Sequence, residues 1–184
     1  MIILVFQIVI TAFILIFFLY LTSCFFNLIV MGVPPLATSD SSIDSVIEIL
    51  KKRTNKKKII DLGCARGKVV RAVKKEFPDS EVIGYEKWPV EFIMAKIVSI
   101  FSKVKPKILY KNFFYADLSD ADVIYCFLIE KLMPKVEAKF NKELKPGTLV
   151  ISNSFPLPGQ KLQEVIDSRE NNKTKIGYLY IYIK

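Results

Sequence analysis

The sequence predicts an α/β fold: a doubly wound, mostly parallel sheet with an antiparallel C-terminal strand pair, preceded by one N-terminal transmembrane helix. Three observations predict it. The N-terminus is a long uncharged apolar run, and short apolar strands alternate with helical segments from residue 58 onward. Two β-rich segments close the chain with only residues 168–175 between them, too few for a crossover helix, so they should pair antiparallel at the sheet edge.

Hydrophobic residues make up 52% of the 184, but they are concentrated at the start of the chain. No charged residue occurs before Gly32, and the run 2–20 is interrupted only by Gln7 and Thr11. That is as long as the roughly 20 apolar residues that cross a bilayer core about 30 Å thick. A cleaved signal peptide would show a basic first region, an apolar stretch of about 7 to 15 residues and a small-residue cleavage site, none of which is evident here. A helix apolar on every face is also more than a small domain can cover. Residues 1–31 are therefore expected to form a retained single-pass anchor. All 27 Lys and Arg and all 18 Asp and Glu follow it, so the formal charge of +9 lies outside the bilayer. Lys51, Lys52, Arg53, Lys56, Lys57 and Lys58 cluster close behind the anchor, which predicts a cytoplasmic domain with a basic face beside anionic lipid.

Residues 32–57 read as a linker and a first helix. Gly32-Val33-Pro34-Pro35 breaks the anchor, and Thr38, Ser39, Asp40, Ser41 and Ser42 offer N-caps for the amphipathic run 43–50. Residues 58–184 read as the folded domain. A strand at 58–62 leads to a helix at 69–77, and the turn Pro78-Asp79-Ser80 leads to a strand at 81–86. A helix follows at 89–101, then strands at 107–111 and 122–128 and a helix at 131–144. Lys145-Pro146-Gly147 feeds a strand at 148–152, and the β-rich segments 162–167 and 176–183 complete the order.

Three cysteines, Cys24, Cys64 and Cys126, are widely spaced and argue against a disulfide framework or a zinc site. The chain has no histidine, which removes histidine triads, histidine-ligated metals and imidazole acid-base chemistry.

Chemistry is expected where the first strand meets the first helix, at Asp61-Leu62-Gly63-Cys64-Ala65-Arg66-Gly67, because doubly wound sheets bind ligands at such turns. Gly63 and Gly67 are one residue too close for a phosphate-binding P-loop, and Val69 follows Lys68 where that loop needs Ser or Thr. The G-x-G-x-x-G pattern of dinucleotide folds is also absent. The ligand loop that remains is one for S-adenosyl-L-methionine, in which Asp61 would meet the ligand's ammonium group; a capped turn without a ligand is the plainer alternative. Ala65 departs from that pattern by standing where such loops usually carry Gly. Glu86 ends the second strand, where an acidic side chain can accept from both ribose hydroxyls of a nucleoside.

With these residues in place, the chain resembles the Rossmann-like class I methyltransferases. It is similar in particular to the membrane-anchored protein-lysine methyltransferases related to those that modify ATP synthase subunit c and the adenine nucleotide translocator. The similarity is carried by Val33-Pro34-Pro35-Leu36-Ala37-Thr38-Ser39, by Asp61 to Lys68 with Gly84-Tyr85-Glu86, and by Ala116-Asp117-Leu118-Ser119 through Asp122-Val123-Ile124 to Phe155-Pro156-Leu157-Pro158. It covers roughly residues 33 to 160. The resemblance implies a cofactor site of Asp61, Gly63, Ala65, Gly67, Glu86, Asn112 and Phe113, the last two flanking the adenine. Asn112 stands where related enzymes often have Asp.

Tyr125, Phe127, Asn153 and Phe155 follow the fourth and fifth strands and are the candidates for an acceptor-lysine channel, with Tyr125, Asn153 and Phe155 as the catalytic set; aromatic residues at strand ends serve cores as readily as pockets. No metal is expected, since methyl transfer from a sulfonium needs alignment and exclusion of water. The expected acceptor is a small integral membrane protein, and a nucleic acid is not expected. A lipid or small-molecule methyltransferase and a non-catalytic membrane-tethered module are the alternatives.

Overall fold

The computed structural model describes residues 2–31, 37–53, 57–169 and 176–184. The expected break at residues 32–35, Lys56 and most of the loop at 168–175 fall outside them. The chain divides into two compact units, Met1–Ala37 and Thr38–Lys184. The first consists of helix α1, Ile2–Met31, which carries no charge. Its segment Ile2–Thr22 has a mean hydropathy of 3.1 and is not buried against protein. Those 21 residues rise about 30 Å, enough to cross a bilayer core.

The second unit opens with α2, Asp40–Lys52, capped by Ser39, whose Oγ accepts from the Ser42 N–H at 3.2 Å. There follow β1 (Lys58–Leu62), α3 (Lys68–Glu76), β2 (Glu81–Glu86), α4 (Pro89–Ile100), β3 (Lys107–Tyr110), β4 (Val123–Cys126), α5 (Met133–Glu143), β5 (Leu149–Asn153), β6 (Glu164–Asp167) and β7 (Tyr178–Ile183). The sequence places every one of these elements. Its strand at 122–128 is shortened at both ends, and the helix predicted to start at residue 131 is preceded by a single tight turn, Glu130–Leu132.

The strands lie side by side in the order β3-β2-β1-β4-β5-β7-β6. The first five are parallel, and β7 runs antiparallel to both β5 and β6. The chain therefore winds outward from β1 through β2 to β3 and then returns to lay β4 on the other side of β1. The crevice at the C-terminal ends of β1 and β4 is the switch point where such sheets bind ligands.

Alternation along the strands sorts the core into two layers. Ile59, Val82, Val123, Leu149 and Ile151 point to one face and pack with Val46, Leu50, Val69, Val70 and Val73 of α2 and α3. Ile60, Ile83, Ile124 and Val150 point to the other and pack with Met133, Val136 and Phe140 of α5. Two polar ties hold the ends of the sheet. The Ser41 hydroxyl donates to the Ser168 carbonyl at 2.6 Å and Ser42 bonds the Ser168 hydroxyl at 2.9 Å, fixing the start of α2 to the end of β6. The Gly159 N–H donates to Glu137 of α5 at 2.9 Å, where a side chain at position 159 would collide with that carboxylate.

Candidate active site

The same alternation that sorts the core gathers the polar residues. Asp61, Glu86, Tyr125 and Asn153 sit at or near the C-terminal ends of β1, β2, β4 and β5, each in phase with the strand residues that face α2 and α3. All four are buried. Four residues that the sequence selects separately thus converge on one side of the switch point.

The loop after β1 turns by left-handed backbone. Gly63, Ala65 and Gly67 have φ of +80°, +46° and +74°. Gly63 and Cys64 both donate backbone N–H to the Tyr85 carbonyl, at 2.9 and 3.0 Å, so the loop folds onto β2. Ala65 keeps the left-handed geometry without being Gly, at a strain that only Gly escapes. Gly84 is required for another reason: a Cβ there would stand 2.6 Å from the Cys64 sulfur. Only a bare backbone on β2 lets the loop come this close.

Glu86 locks the loop in place. One carboxylate oxygen accepts the Ala65 N–H at 2.8 Å and the other accepts the Trp88 N–H at 2.8 Å. Burial nonetheless pushes its pKa above the ordinary carboxylate range. Asp61 is more exposed to this effect. Burial, and then the Glu86 charge, push it up to about 8, and no donor among the described residues offsets either. Burial pushes the Cys64 thiol up as well, which makes it inert as a nucleophile.

On the β4 side, the Asn153 amide donates to the Tyr125 hydroxyl at 3.0 Å, and Thr38 bonds the same hydroxyl at 3.1 Å. Ser154 donates to the Asn153 side-chain amide oxygen at 2.7 Å and accepts the Gly177 N–H at 3.0 Å. Ser154 itself has φ of +70°, a strained conformation of the kind that functional sites retain. Burial keeps the Tyr125 hydroxyl protonated. Thr38 is held over the site from α3, whose Lys68 donates to the Thr38 carbonyl at 3.0 Å and pairs with Asp40 at 2.9 Å.

Three of the predicted residues lie apart from this group. Phe113 is buried in the α5 layer with its ring 4.4 Å from that of Phe114, and Asn112 caps the following turn by accepting the Phe114 N–H at 3.1 Å. Phe155 packs against the same α5 layer, whereas Phe127 packs on the Tyr125 side. Sequence reasoning missed Thr38, Gly84 and Ser154 as parts of the site. Thr38 and Gly84 were both inside the segments that carry the family resemblance; Ser154 gives no signal before its backbone is seen.

The arrangement can bind a cation at the buried Asp61 carboxylate, and it can hold a polar group near a fixed neutral hydroxyl. Comparison with known proteins agrees with that chemistry. The sequence profile of the ANTKMT methyltransferase domain matches residues 61–164. A protein-lysine N-methyltransferase of Saccharolobus islandicus (strain REY15A) is 30% identical over 151 residues, covering 81% of this chain and 93% of that protein. The adenine nucleotide translocase lysine N-methyltransferase of Mus musculus is 27% identical over 130 residues, which are 70% of this chain and 56% of that protein. Among solved structures, an RNA methyltransferase from Salinibacter ruber in complex with S-adenosyl-L-homocysteine shares the fold with a TM-score of 0.68 at 21% identity, over 80% of this chain and 93% of that one. The profile match over residues 61–164, together with the near-complete coverage of the Saccharolobus relative, places this chain in the family of ANTKMT methyltransferase domains.

Proposed function

We propose that the chain transfers the methyl group of S-adenosyl-L-methionine to lysine side chains of a protein, and that α1 holds it in a membrane with the domain on the cytoplasmic side. The observation that carries the reading is the Asp61 carboxylate, which is buried, without a donor among the described residues and pushed up to about 8. A ligand bearing an ammonium group brings the countercharge that this carboxylate lacks, and the methionyl end of the cofactor bears one. The residues fit in two further ways. The left-handed turn at Gly63, Ala65 and Gly67 follows Asp61 directly, and Gly84 lets that turn pack tightly on β2. Glu86 uses one lone pair on each oxygen for Ala65 and Trp88, which leaves acceptor capacity on both for ribose hydroxyls. Asn112 and Phe113 follow β3, the neighbour of β2, and would border the adenine.

When bound, the cofactor supplies an electrophilic methyl on a sulfonium. The chain's own task is to place a neutral amine in line with it and to keep water out. Tyr125, clamped by Asn153 and Thr38, offers a fixed hydroxyl to the incoming amine. Protein lysine as the acceptor is supported by the Saccharolobus relative, which is named for it and which this chain spans almost entirely. A membrane protein as the acceptor is supported by α1, because a tether raises the local concentration of a partner in the same bilayer.

The test is calorimetric titration of the detergent-solubilised full chain with S-adenosyl-L-methionine and S-adenosyl-L-homocysteine, followed by transfer of a labelled methyl group into membrane fractions. Micromolar binding that Glu86→Ala loses, with label in protein lysines, is the expected result. Label in organic-extractable lipid would overturn the acceptor. No binding by the folded protein would overturn the cofactor assignment.

A further inference from the structure

Helix α4 is amphipathic with the wrong side covered for a helix that ends at the domain surface. Its Ala95 and Ser99 are buried toward the sheet, where α4 packs on β2 and β3. Its other side carries Ile93, Ile97, Ile100 and Phe101, at the i, i+4, i+7 and i+8 positions of one helical face, and these are 53, 44, 68 and 85% exposed. An apolar face of this kind on the outside of a folded unit marks a contact site.

The charge around it decides which contact. Residues 87–111 hold six lysines, Lys87, Lys96, Lys103, Lys105, Lys107 and Lys111, against a single carboxylate. All six are exposed; Lys107 pairs with Glu81 at 3.7 Å, and the carboxylate within the stretch, Glu91, is buried and bonded to Arg66 at 3.1 Å. Lys105 donates to the Ser99 and Ile100 carbonyls, which leaves its charge unneutralised at the C-terminal end of α4. The basic cluster at residues 51–58, which the sequence suggests for lipid contact, is different. Lys51 pairs with Glu76, Arg53 with Glu164 and Lys58 with Asp120, so much of its charge is offset within the domain.

We propose that α4 lies in the interface of an anionic bilayer, with Ile93, Ile97, Ile100 and Phe101 among the acyl chains and the surrounding lysines at the phosphate level. An apolar strip with a mostly positive rim is the chemistry of an interfacial helix, and it complements anionic headgroups. The bilayer is the one that α1 enters, so the inference rests on the anchor reading for its supply of lipid. Six residues separate Met31 from Thr38, a reach of about 25 Å at most, which tethers the domain to the end of α1. Docking of α4 would then set how the ends of β1 and β4 face the membrane, which a tether alone does not.

The single tryptophan, Trp88, is the N-cap residue of α4 and serves as a native reporter. The full chain is reconstituted in phosphatidylcholine–phosphatidylglycerol vesicles containing lipids brominated on the acyl chain, and Trp88 quenching and vesicle flotation are measured together. At least twofold quenching is expected, weaker in vesicles of phosphatidylcholine alone. The double variant Ile97→Asp, Phe101→Asp should lose it while still floating with the vesicles, and Lys96→Glu with Lys103→Glu should weaken it without touching any buried residue. If the anchor reading fails and α4 docking holds, quenching persists but flotation disappears in the Ile97→Asp, Phe101→Asp variant. Unquenched Trp88 in the unaltered chain overturns the proposal, whether or not the vesicles float. So does a blue shift that grows with protein density and resists the brominated lipids, which would assign the face to a second copy of the chain.

Discussion

Replacing Asp61 by Asn should stabilise the domain and disable it at the same time. The carboxylate titrates near 8 in the folded chain instead of near its ordinary 3.8, because it is buried and faces Glu86. A folded-state pKa raised above the unfolded value gives a cost, which is absent below pH 4, grows with pH and levels off above 8. At pH 7 the group is about three pH units above its unfolded pKa, and at about 1.36 kcal/mol per unit the folded state bears a cost on the order of 4 kcal/mol. Asparagine has the same shape and no proton to hold. Chemical denaturation of the two proteins from pH 4 to pH 9 should show curves that diverge steadily in favour of Asp61→Asn and run parallel above pH 8. The same variant should lose at least 100-fold in cofactor affinity, and the unaltered protein should release a proton on binding at pH 7, seen as a dependence of the calorimetric heat on the buffer. A variant that is less stable at pH 7, or that binds the cofactor as before, would refute the account of Asp61 as a carboxylate waiting for a cation.

Three substitutions probe the structure around it. Gly84→Ala puts a methyl group 2.6 Å from the Cys64 sulfur and should cost about 1–3 kcal/mol, with part of the loss restored by adding Cys64→Ala; thermal unfolding of the single and double variants measures the coupling. Glu86→Ala leaves the Ala65 and Trp88 amides without their acceptor and should cost about 1–3 kcal/mol for each that stays dry, alongside loss of cofactor binding by titration. Tyr125→Phe leaves the buried Asn153 amide without its acceptor, so the melting temperature should fall by the equivalent of about 1–3 kcal/mol. Cofactor affinity should stay within about threefold in that variant while methyl transfer drops, since the hydroxyl is assigned to the acceptor.

Local patterning made the elements readable and left their arrangement open. The strand Lys58–Leu62 is a short apolar stretch between a lysine-rich segment and a glycine turn, and nothing outside those residues is needed to see it. The placing of β4 against β1, by contrast, depends on pairing between residues 59–62 and 123–126, which no local signal encodes. Asp61 and Glu86 were legible as candidates because each is an acidic residue ending a strand beside the glycine turn. Asn153 and Tyr125 were legible as candidates, but their hydrogen bond and its link to Thr38 depend on the β4–β5 register and on α2 being tied down by Ser168. The exposed face of α4 was hidden for a related reason. Its isoleucines have the spacing of a core-facing helix, and only the packing of Ala95 and Ser99 against the sheet shows that they point away.

The proton on the acceptor lysine is the remaining step, and the site constrains where it can go. A free lysine has a pKa near about 10.4, so most of it is charged at neutral pH and cannot attack. Tyr125 is pushed upward by burial and stays a neutral hydroxyl, already accepting from Asn153; the Cys64 thiol is pushed up as well. Glu86 holds the Ala65 and Trp88 amides and has its remaining acceptor capacity assigned to the ribose hydroxyls. Asp61 alone titrates near 8, and its proton leaves when the cofactor's ammonium arrives. None of these groups is placed to take a proton from the amine during turnover, so deprotonation must precede attack and pass to water. With cofactor saturating, kcat should therefore rise about tenfold per pH unit up to the acceptor's own pKa. An inflection near 8 belongs only in kcat/KM for the cofactor, where free Asp61 is on view, and it should vanish in Asp61→Asn. A plateau in kcat beginning at pH 6 or 7, removed by a substitution at any of these residues, would mean that the protein supplies the base after all.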